Sequence, residues 1–536
     1  MLTKLMRTGC LLALLIPLGT GCGAKKDEAN QAPPPEAINE PMVAAPAEQP
    51  EVPRAEFQRE PAEVAPQLAE PLDAPQLRRH AVAPNEQAEP WSQKQALSED
   101  SQHRQFMEQM APQMQPMQAA PMMAQAESNY DVVEVFYGTD RATELNEGLI
   151  PLELQPYIPA AISLGLAAVV ALILLLMRQA QVAALAALAG VAIGGYLGYE
   201  GLIESQKHQR WQETGSLAFG RMLGELQVGV CQVSIPKTHK RGMLESPSIL
   251  RMEFAEKPED HVVLLETKSK EEEEFFELMR HRVEQSPNRD LLIFVHGYNV
   301  TFEDAARRTA QIAHDLKFRG APVFFSWPSQ GELFGYVSDR HNSIWTASHL
   351  KEFMLKIHQQ SGARSINLIA HSMGNRAMGA AIRDLADDLG ENSKIFNEVI
   401  LAAPDVDADV FRNEIAPRIL ALSNHVTLYA SQNDLALKAS RAVNGYPRAG
   451  DTGLGIMIVD GIDTVDVTEI DTSFVGHAYY GDNTSVISDI FALIHHAQFP
   501  HQRSWLRNVT SHNGPYWLFE KGQPASISQQ GEGFSR

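Results

Sequence analysis

"SINLIAHSMGNRA" fills residues 365–377, and its reading decides the fold. "SINLIAH" (365–371) is an apolar run of strand length, and from Gly374 to about 388 the apolar positions recur with helical spacing. Ser372 stands at the joint, with Ala370 and Gly374 at two positions on either side. In the nucleophile elbow G-x-S-x-G, small residues at those places let a strained strand-to-helix turn lift a serine hydroxyl clear of the sheet. Ala370 replaces the first glycine, and a methyl is the next smallest group. The alternative is a polar residue at the start of a helix, with no chemistry attached.

Working outward, the same alternation continues on both sides. Strands are expected at 226–235, 248–254, 261–266, 291–297, 322–327, 365–371, 397–404 and 425–431. Helices are expected at 271–285, 303–318, 341–359, 374–388 and 482–497. Near-continuous apolar strands alternating with amphipathic helices predict a mostly parallel sheet covered on both faces. Ligands then gather at the carboxyl ends of the strands.

A serine needs a base, and the base needs an orienting acid. When the nucleophile sits on such an elbow, the chain order is Ser, then Asp or Glu, then His. "LYASQNDLAL" places Asp434 in a loop after a strand, and "FVGHAYYGDN" places His477 just before the last helix. Of the other histidines, His425 begins a strand, and His495 and His496 sit on a helix. The acid has rivals in "APDVDADV", where Asp405, Asp407 and Asp409 follow the preceding strand. These could equally cap the next helix. The oxyanion hole calls for the backbone N–H of Met373, after the nucleophile, and that of Tyr298 in "HGYN" (296–299). His296, before Gly297, is expected to brace that loop rather than to react.

Together "VFYGTDRA", "CQVSIPKTH", "LESPS", "IFVHGYNVTFEDAARRTAQIAHDL", "FFSWPSQG", "LIAHSMGNRA", "LAAPDVDADVF", "LYASQNDLAL" and "GHAYYGDN" carry a family likeness. The chain resembles the bacterial α/β-hydrolases grouped as a domain of unknown function in the esterase/lipase superfamily. The resemblance covers about 131–142 and 216–497. It implies an α/β-hydrolase fold and the triad Ser372, Asp434 and His477, and it supplies no substrate.

The rest of the chain sets the surroundings. Among 536 residues, 45 Lys+Arg against 66 Asp+Glu give a net charge of −21, which disfavours nucleic acid as a partner. Three cysteines, Cys10, Cys22 and Cys231, exclude a disulfide framework or a multi-cysteine metal site. No cofactor or metal is expected. Residues 1–22 read as a signal peptide of lipoprotein type. Lys4 and Arg7 are followed by an apolar run and by "LGTGC", with Cys22 as the lipidation candidate. Leu18 lies one position further from the cysteine than the usual pattern has it. Residues 23–128, rich in Pro, Ala, Gln and Met, read as a disordered tether. Its methionines at 107–123 could hold Cu(I), or simply belong to a linker.

Between the first strand region (129–150) and the rest of the hydrolase domain (205–500) lies a segment of different character. Residues 158–177 and 182–199 are two uncharged runs of bilayer-spanning length, read as a transmembrane helical hairpin over 157–200. Gly190, Gly194 and Gly198 stripe one face, and Ala161 and Gly165 offer the matching spacing on the first span. Arg178 in the link favours a cytoplasmic turn, so the catalytic domain is expected on the periplasmic side of the cell envelope, with the inner membrane favoured. Residues 501–536 read as a tail. The expectation is a membrane-anchored serine hydrolase acting on an ester, lipid-like or otherwise. Its alternative is a non-catalytic envelope binding or scaffold protein built on the same domain.

Overall fold

The computed structural model describes residues 128–143, 154–331, 335–390, 393–470 and 484–520. Cys22, the methionine-rich tract and His477 lie outside the described residues. The described residues begin with strand β1 (Tyr130–Thr143), then two long apolar helices, α1 (Ile158–Leu176) and α2 (Ala180–Thr214). Next come β2 (Phe219–Pro236), β3 (Val263–Ser269), α3 (Glu272–Glu284), β4 (Asp290–Val295) and α4 (Phe302–Asp315). They are followed by β5 (Ala321–Ser326), α5 (Tyr336–Trp345), α6 (Ala347–Gln360), β6 (Ser365–His371), α7 (Gly374–Leu389) and β7 (Phe396–Ala402). The series closes with α8 (Ala416–Leu422), β8 (Ser423–Ala430), α9 (Leu435–Asn444), β9 (Asp463–Asp466), α10 (Thr484–His496), β10 (Leu506–Ser511) and β11 (Gly514–Phe519).

The strands form one sheet in the order β10-β11-β9-β8-β7-β6-β4-β5-β1-β2-β3. Pairing is parallel from β1 through β11, and antiparallel where β2 and β3 extend one edge and β10 the other. Side chains alternate across the sheet with the two-residue period of a strand. On β4, Leu291, Ile293 and Val295 join the core beneath α3, α6 and α7. Leu292 and Phe294 join the opposite core beneath α4 and α10. Burial on both faces explains why the strands read as continuous apolar runs. This is the α/β-hydrolase fold that the sequence predicts.

Four local expectations need correction. Residues 248–254 are not a strand. Met252 adopts φ 54°, and the Glu253 carboxylate accepts from the Ser248 N–H and the Arg251 Nε, both at 2.9 Å, folding the segment into a closed loop. The helix expected over 341–359 is two helices, α5 and α6, meeting at Thr346, whose hydroxyl donates to the buried Asp140 carboxylate on β1. The second apolar helix runs on to Thr214, well past residue 200. The sheet continues beyond residue 500, because β10 and β11 pair with each other and β11 with β9. That edge is anchored by Arg503, whose Nη1 donates to the fully buried Asp489 of α10 at 2.6 Å. Tyr429 and Trp505 donate to the same carboxylate.

The apolar hairpin is the connection between β1 and β2. Those strands pair antiparallel from Tyr130↔Pro236 to Thr143↔Phe219, so the sheet closes beneath the insertion and the chain leaves and returns at neighbouring positions. The glycine stripe faces α1. A Cβ on Gly190 would fall 2.0 Å from the Ala167 Cβ, and one on Gly194 would fall 2.6 Å from Leu164. The matching face of α1 is therefore Ala160, Leu164 and Ala167; Gly165, expected on it, has nothing within 4 Å of its Cβ position. The outer faces carry exposed side chains such as Leu166 and Leu185, 64% and 67% accessible, so these are not core helices.

Candidate active site

Ser372 sits at the strand-to-helix joint between β6 and α7, in a left-handed backbone conformation with φ 49°. Such a conformation costs a non-glycine residue about 1–3 kcal/mol and persists only where its surroundings fix it. Here they do. The Ser372 N–H donates to the Ala402 carbonyl at 2.9 Å, and its own carbonyl accepts from the N–H groups of Asn375 (3.1 Å) and Asp405 (3.2 Å). The Asn375 side-chain amide donates to the same carbonyl at 3.1 Å. Behind the turn there is no room for a methyl at Gly374, whose Cβ would fall 2.3 Å from the His296 carbonyl oxygen. The sequence thus builds a sharp elbow, held on both neighbouring strands.

The loop after β4 lies against this elbow. A Cβ on Gly297 would fall 2.8 Å from His371 Nδ1 and 2.9 Å from the Ser372 Cβ, so the loop backbone touches the serine directly. Tyr298 follows, half-buried, its ring 5.5 Å from that of Tyr336 on α5. Met373 is fully buried. Both candidate oxyanion donors therefore belong to backbone that meets at Ser372. His296 braces the loop as expected. Its ring stacks on Trp327, Nδ1 is 2.9 Å from the Gly297 carbonyl oxygen, and Trp327 Nε1 donates to the His296 carbonyl at 2.8 Å. Burial, aided by the nearby Arg141 charge, lowers its pKa to about 3, so it stays neutral.

Arg141 received no role from the sequence, although it belongs to "VFYGTDRA". Its guanidinium, 1% accessible, donates to the Val300 carbonyl (2.8 Å), the Ser326 hydroxyl (2.8 Å), the Gly220 carbonyl (2.9 Å) and the Ser329 carbonyl (3.1 Å). One side chain thus ties the loops after β4 and β5 to the first strand pair. Asp339 of α5 completes the support, accepting from the Ser329 hydroxyl at 2.6 Å and the Gln330 N–H at 2.7 Å. An arginine at the end of an apolar strand was the available signal.

The candidate acids separate by what already holds them. Asp405 is buried and accepts from Tyr336 (3.0 Å), from Arg376 Nη2 (3.2 Å) and from the Ser440 hydroxyl, with Arg448 Nε 3.7 Å away. Its carboxylate is a structural hub. Asp407 caps the helical turn that follows, accepting from the N–H groups of Asp409 and Val410, and Asp409 pairs with Arg412 at the surface. Asp434 is buried too, and one oxygen caps α9 by accepting from the N–H groups of Ala436 (2.9 Å) and Leu437 (3.0 Å). His371, Ala402, Tyr429 and Val465 are aligned across β6, β7, β8 and β9. Ser372 follows that row on β6 and Asp434 follows it on β8. His477 belongs to the connection from β9 to α10. Ser372 and Asp434 therefore sit on segments leaving the carboxyl edge of the sheet from strands on either side of β7.

Four half-buried histidines have other partners. His425 starts β8 at the opposite edge, between Glu398 and Asp463, each 2.6 Å away. Those carboxylates overcome the cost of burial and raise its pKa to about 9. His495 Nε2 donates to the Leu316 carbonyl at 2.8 Å. His239, His314 and Asp315 are close enough to share a metal ion. However, both ring nitrogens of His239 already meet carboxylates, Glu245 at 2.8 Å and Asp315 at 2.9 Å, which raise its pKa to about 9 against burial. With both ring nitrogens engaged by carboxylates, the cluster pins the chain after β2 to α4.

Residues 270–496 match the family model described as an alpha/beta hydrolase of unknown function (DUF900). The motifs upstream of residue 270 lie outside that match, and β1–β3 join the domain through the shared sheet. An uncharacterized protein of Nostoc sp. is 24% identical over 207 residues, covering 28% of this chain and 54% of that protein. The chain thus spans about half the length of the curated relative it matches. Over residues 270–496 the chain is thus similar to an α/β-hydrolase family, in keeping with the fold of its sheet.

Proposed function

We propose that this α/β-hydrolase domain is a membrane-held serine esterase working through an acyl-enzyme. The observation that carries the proposal is the elbow itself: a non-glycine residue forced to φ 49°, with the glycine-containing loop packed on its Cβ. Strain of this kind clusters at active sites. In the proposed cycle Ser372 Oγ attacks the ester carbonyl carbon while His477 takes the hydroxyl proton. The oxyanion accepts from the N–H groups of Tyr298 and Met373, each such donor being worth about 10²–10³ in rate. Collapse expels the alcohol, which receives the proton from His477, and water then cleaves the acyl-serine by the same route. Asp434 holds the imidazole in the required tautomer and balances its charge.

The two apolar helices support a membrane location, since each is long and apolar enough to cross a bilayer. With Arg178 at the turn, the reading places the domain on the extracytoplasmic side of the inner membrane, with Cys22 as a second, lipid-borne attachment. A bilayer at hand favours an ester of lipid-like character as substrate. Fluorophosphonate labelling of membrane fractions tests the chemistry. The wild type should label, and Ser372→Ala and His477→Ala should not. A folded wild type that fails to label would overturn the enzyme reading and leave a binding module.

A further inference from the structure

Resting on the membrane reading, we propose that the loop between β2 and β3 is a second contact with the bilayer, dipping Leu250, Met252 and Phe254 into the interfacial layer beside the hairpin. The loop is apolar on the wrong side for a soluble protein. Polar groups hold its bend: Arg251, itself exposed, donates from Nη2 to the Ser246 carbonyl at 2.7 Å, and Glu253 binds Arg251, the Ser248 N–H and His261. Its large apolar side chains turn outward, with Leu250 71%, Met252 77% and Phe254 51% accessible. A left-handed residue at Met252 makes the tight bend that presents them.

Depth is set by the hairpin. Tyr157 precedes α1, and Tyr196 and Tyr199 close the apolar part of α2. All three lie at the end of the hairpin nearest the hydrolase domain. Tyrosines at one end of an apolar span mark the membrane–water interface, where an apolar ring with a polar tip is most stable. Tyr199 touches the loop twice. Its hydroxyl donates to the Glu253 carbonyl at 2.8 Å, and its ring meets that of Phe254 edge-on at 5.9 Å. Leu250, Met252 and Phe254 therefore form an apolar tip continuous with the interfacial belt of the spanning helices. The occupant fitting such a tip is the headgroup–acyl boundary of the same leaflet, entered to a depth of about 5–10 Å as by other monotopic apolar faces. Two contacts, hairpin and loop, would stop the domain from swivelling on the bilayer.

The test uses the full chain in phosphatidylethanolamine/phosphatidylglycerol vesicles, with an environment-sensitive fluorophore on Leu250→Cys or, separately, on Leu172→Cys in the hairpin and Leu454→Cys on the domain. The unsubstituted protein, carried through the same labelling, sets the background from its own cysteines. Quenching at 250 by lipids bearing a nitroxide near the headgroup, stronger than by lipids bearing it deep in the chain and absent at 454, is the expected result. Quenching at 172 with none at 250 would overturn the loop contact while leaving the spanning hairpin standing. Loss of quenching at both would sink the membrane reading and the loop with it.

Discussion

Gly374→Ala tests whether the loop after β4 and the turn at Ser372 act as one unit. The added methyl would lie 2.3 Å from the His296 carbonyl oxygen and 2.9 Å from that of Val295, both backbone atoms. Restoring even a 3.0 Å separation moves the His296 carbonyl or the elbow by about 0.7 Å. The carbonyl cannot yield freely, since Trp327 Nε1 donates to it at 2.8 Å from a ring stacked on His296. Overpacking of this kind costs about 1–3 kcal/mol of stability, which leaves the domain folded. The displacement falls two residues before the Tyr298 N–H. A misplacement of roughly 1 Å at a catalytic group costs about 10²-fold in rate, or about 2.7 kcal/mol of barrier. The assay is the second-order rate of fluorophosphonate labelling on detergent-solubilised full chain, beside a thermal melt. Gly195→Ala, whose methyl would meet nothing within 4 Å, is the control and should change neither. Folded Gly374→Ala protein labelling at the wild-type rate would refute the claim that this loop positions the oxyanion donors.

Asparagine caps a helix as well as aspartate does, so Asp434→Asn should keep its melt within about 0.5 kcal/mol while labelling falls by about 10⁴ as the imidazole loses its partner. Asp405→Asn should behave in the opposite sense. Removing the charge facing Arg376 and Arg448 should cost about 1.5–3 kcal/mol with less than a tenfold change in labelling. A reversed pattern would exchange the two assignments. Stability should also respond to alkali. The folded pKa of His239 is raised from 6.5 to about 9, so its contribution is complete below pH 6.5 and is lost as pH rises through 9. His425 behaves alike. Melts of a His239→Gln, His425→Gln protein between those pH values should fall less steeply than the wild type's, and an equal slope would refute the ion-pair reading.

The parallel sheet was legible because its strands are buried on both faces, which leaves an unbroken apolar run such as "LLIFV" with no competing period. The elbow was legible because its chemistry permits few residue types at Ala370, Ser372 and Gly374. The loop at 248–254 misled for a physical reason: its side chains have strand-like apolar character, while its conformation is fixed by Glu253 reaching back to Ser248. β9 escaped notice at four residues, "DTVD", too short to show a period. β10 and β11 carry alternating patterns weakened by Asn508, Thr510 and Pro515, as suits the edge of a sheet. Arg141 went unread because its role depends on four groups brought together from β2, the end of β5 and the loops after β4 and β5, a coincidence no local pattern records.

How the apolar hairpin is joined to the domain separates it from a flexible anchor. α2 continues for some fifteen residues beyond the apolar run and ends on the core, with Trp211 packed against the cluster beneath α4. On the way Lys207 meets Glu303 at 2.9 Å and Glu256 at 3.6 Å, and Arg210 meets Glu256 at 2.6 Å. Lys207, Glu303 and Glu256 are mostly buried, so the cluster contributes little net stability against an apolar equivalent. What it does supply is a geometric requirement, because any slip of α2 would strand a charge out of water at a cost of about 3–5 kcal/mol. Glu303 is the second residue of α4, whose cap, Thr301, closes the loop that begins at His296. The same few residues therefore fix the tilt of the apolar hairpin and the start of the helix that carries the loop against Ser372.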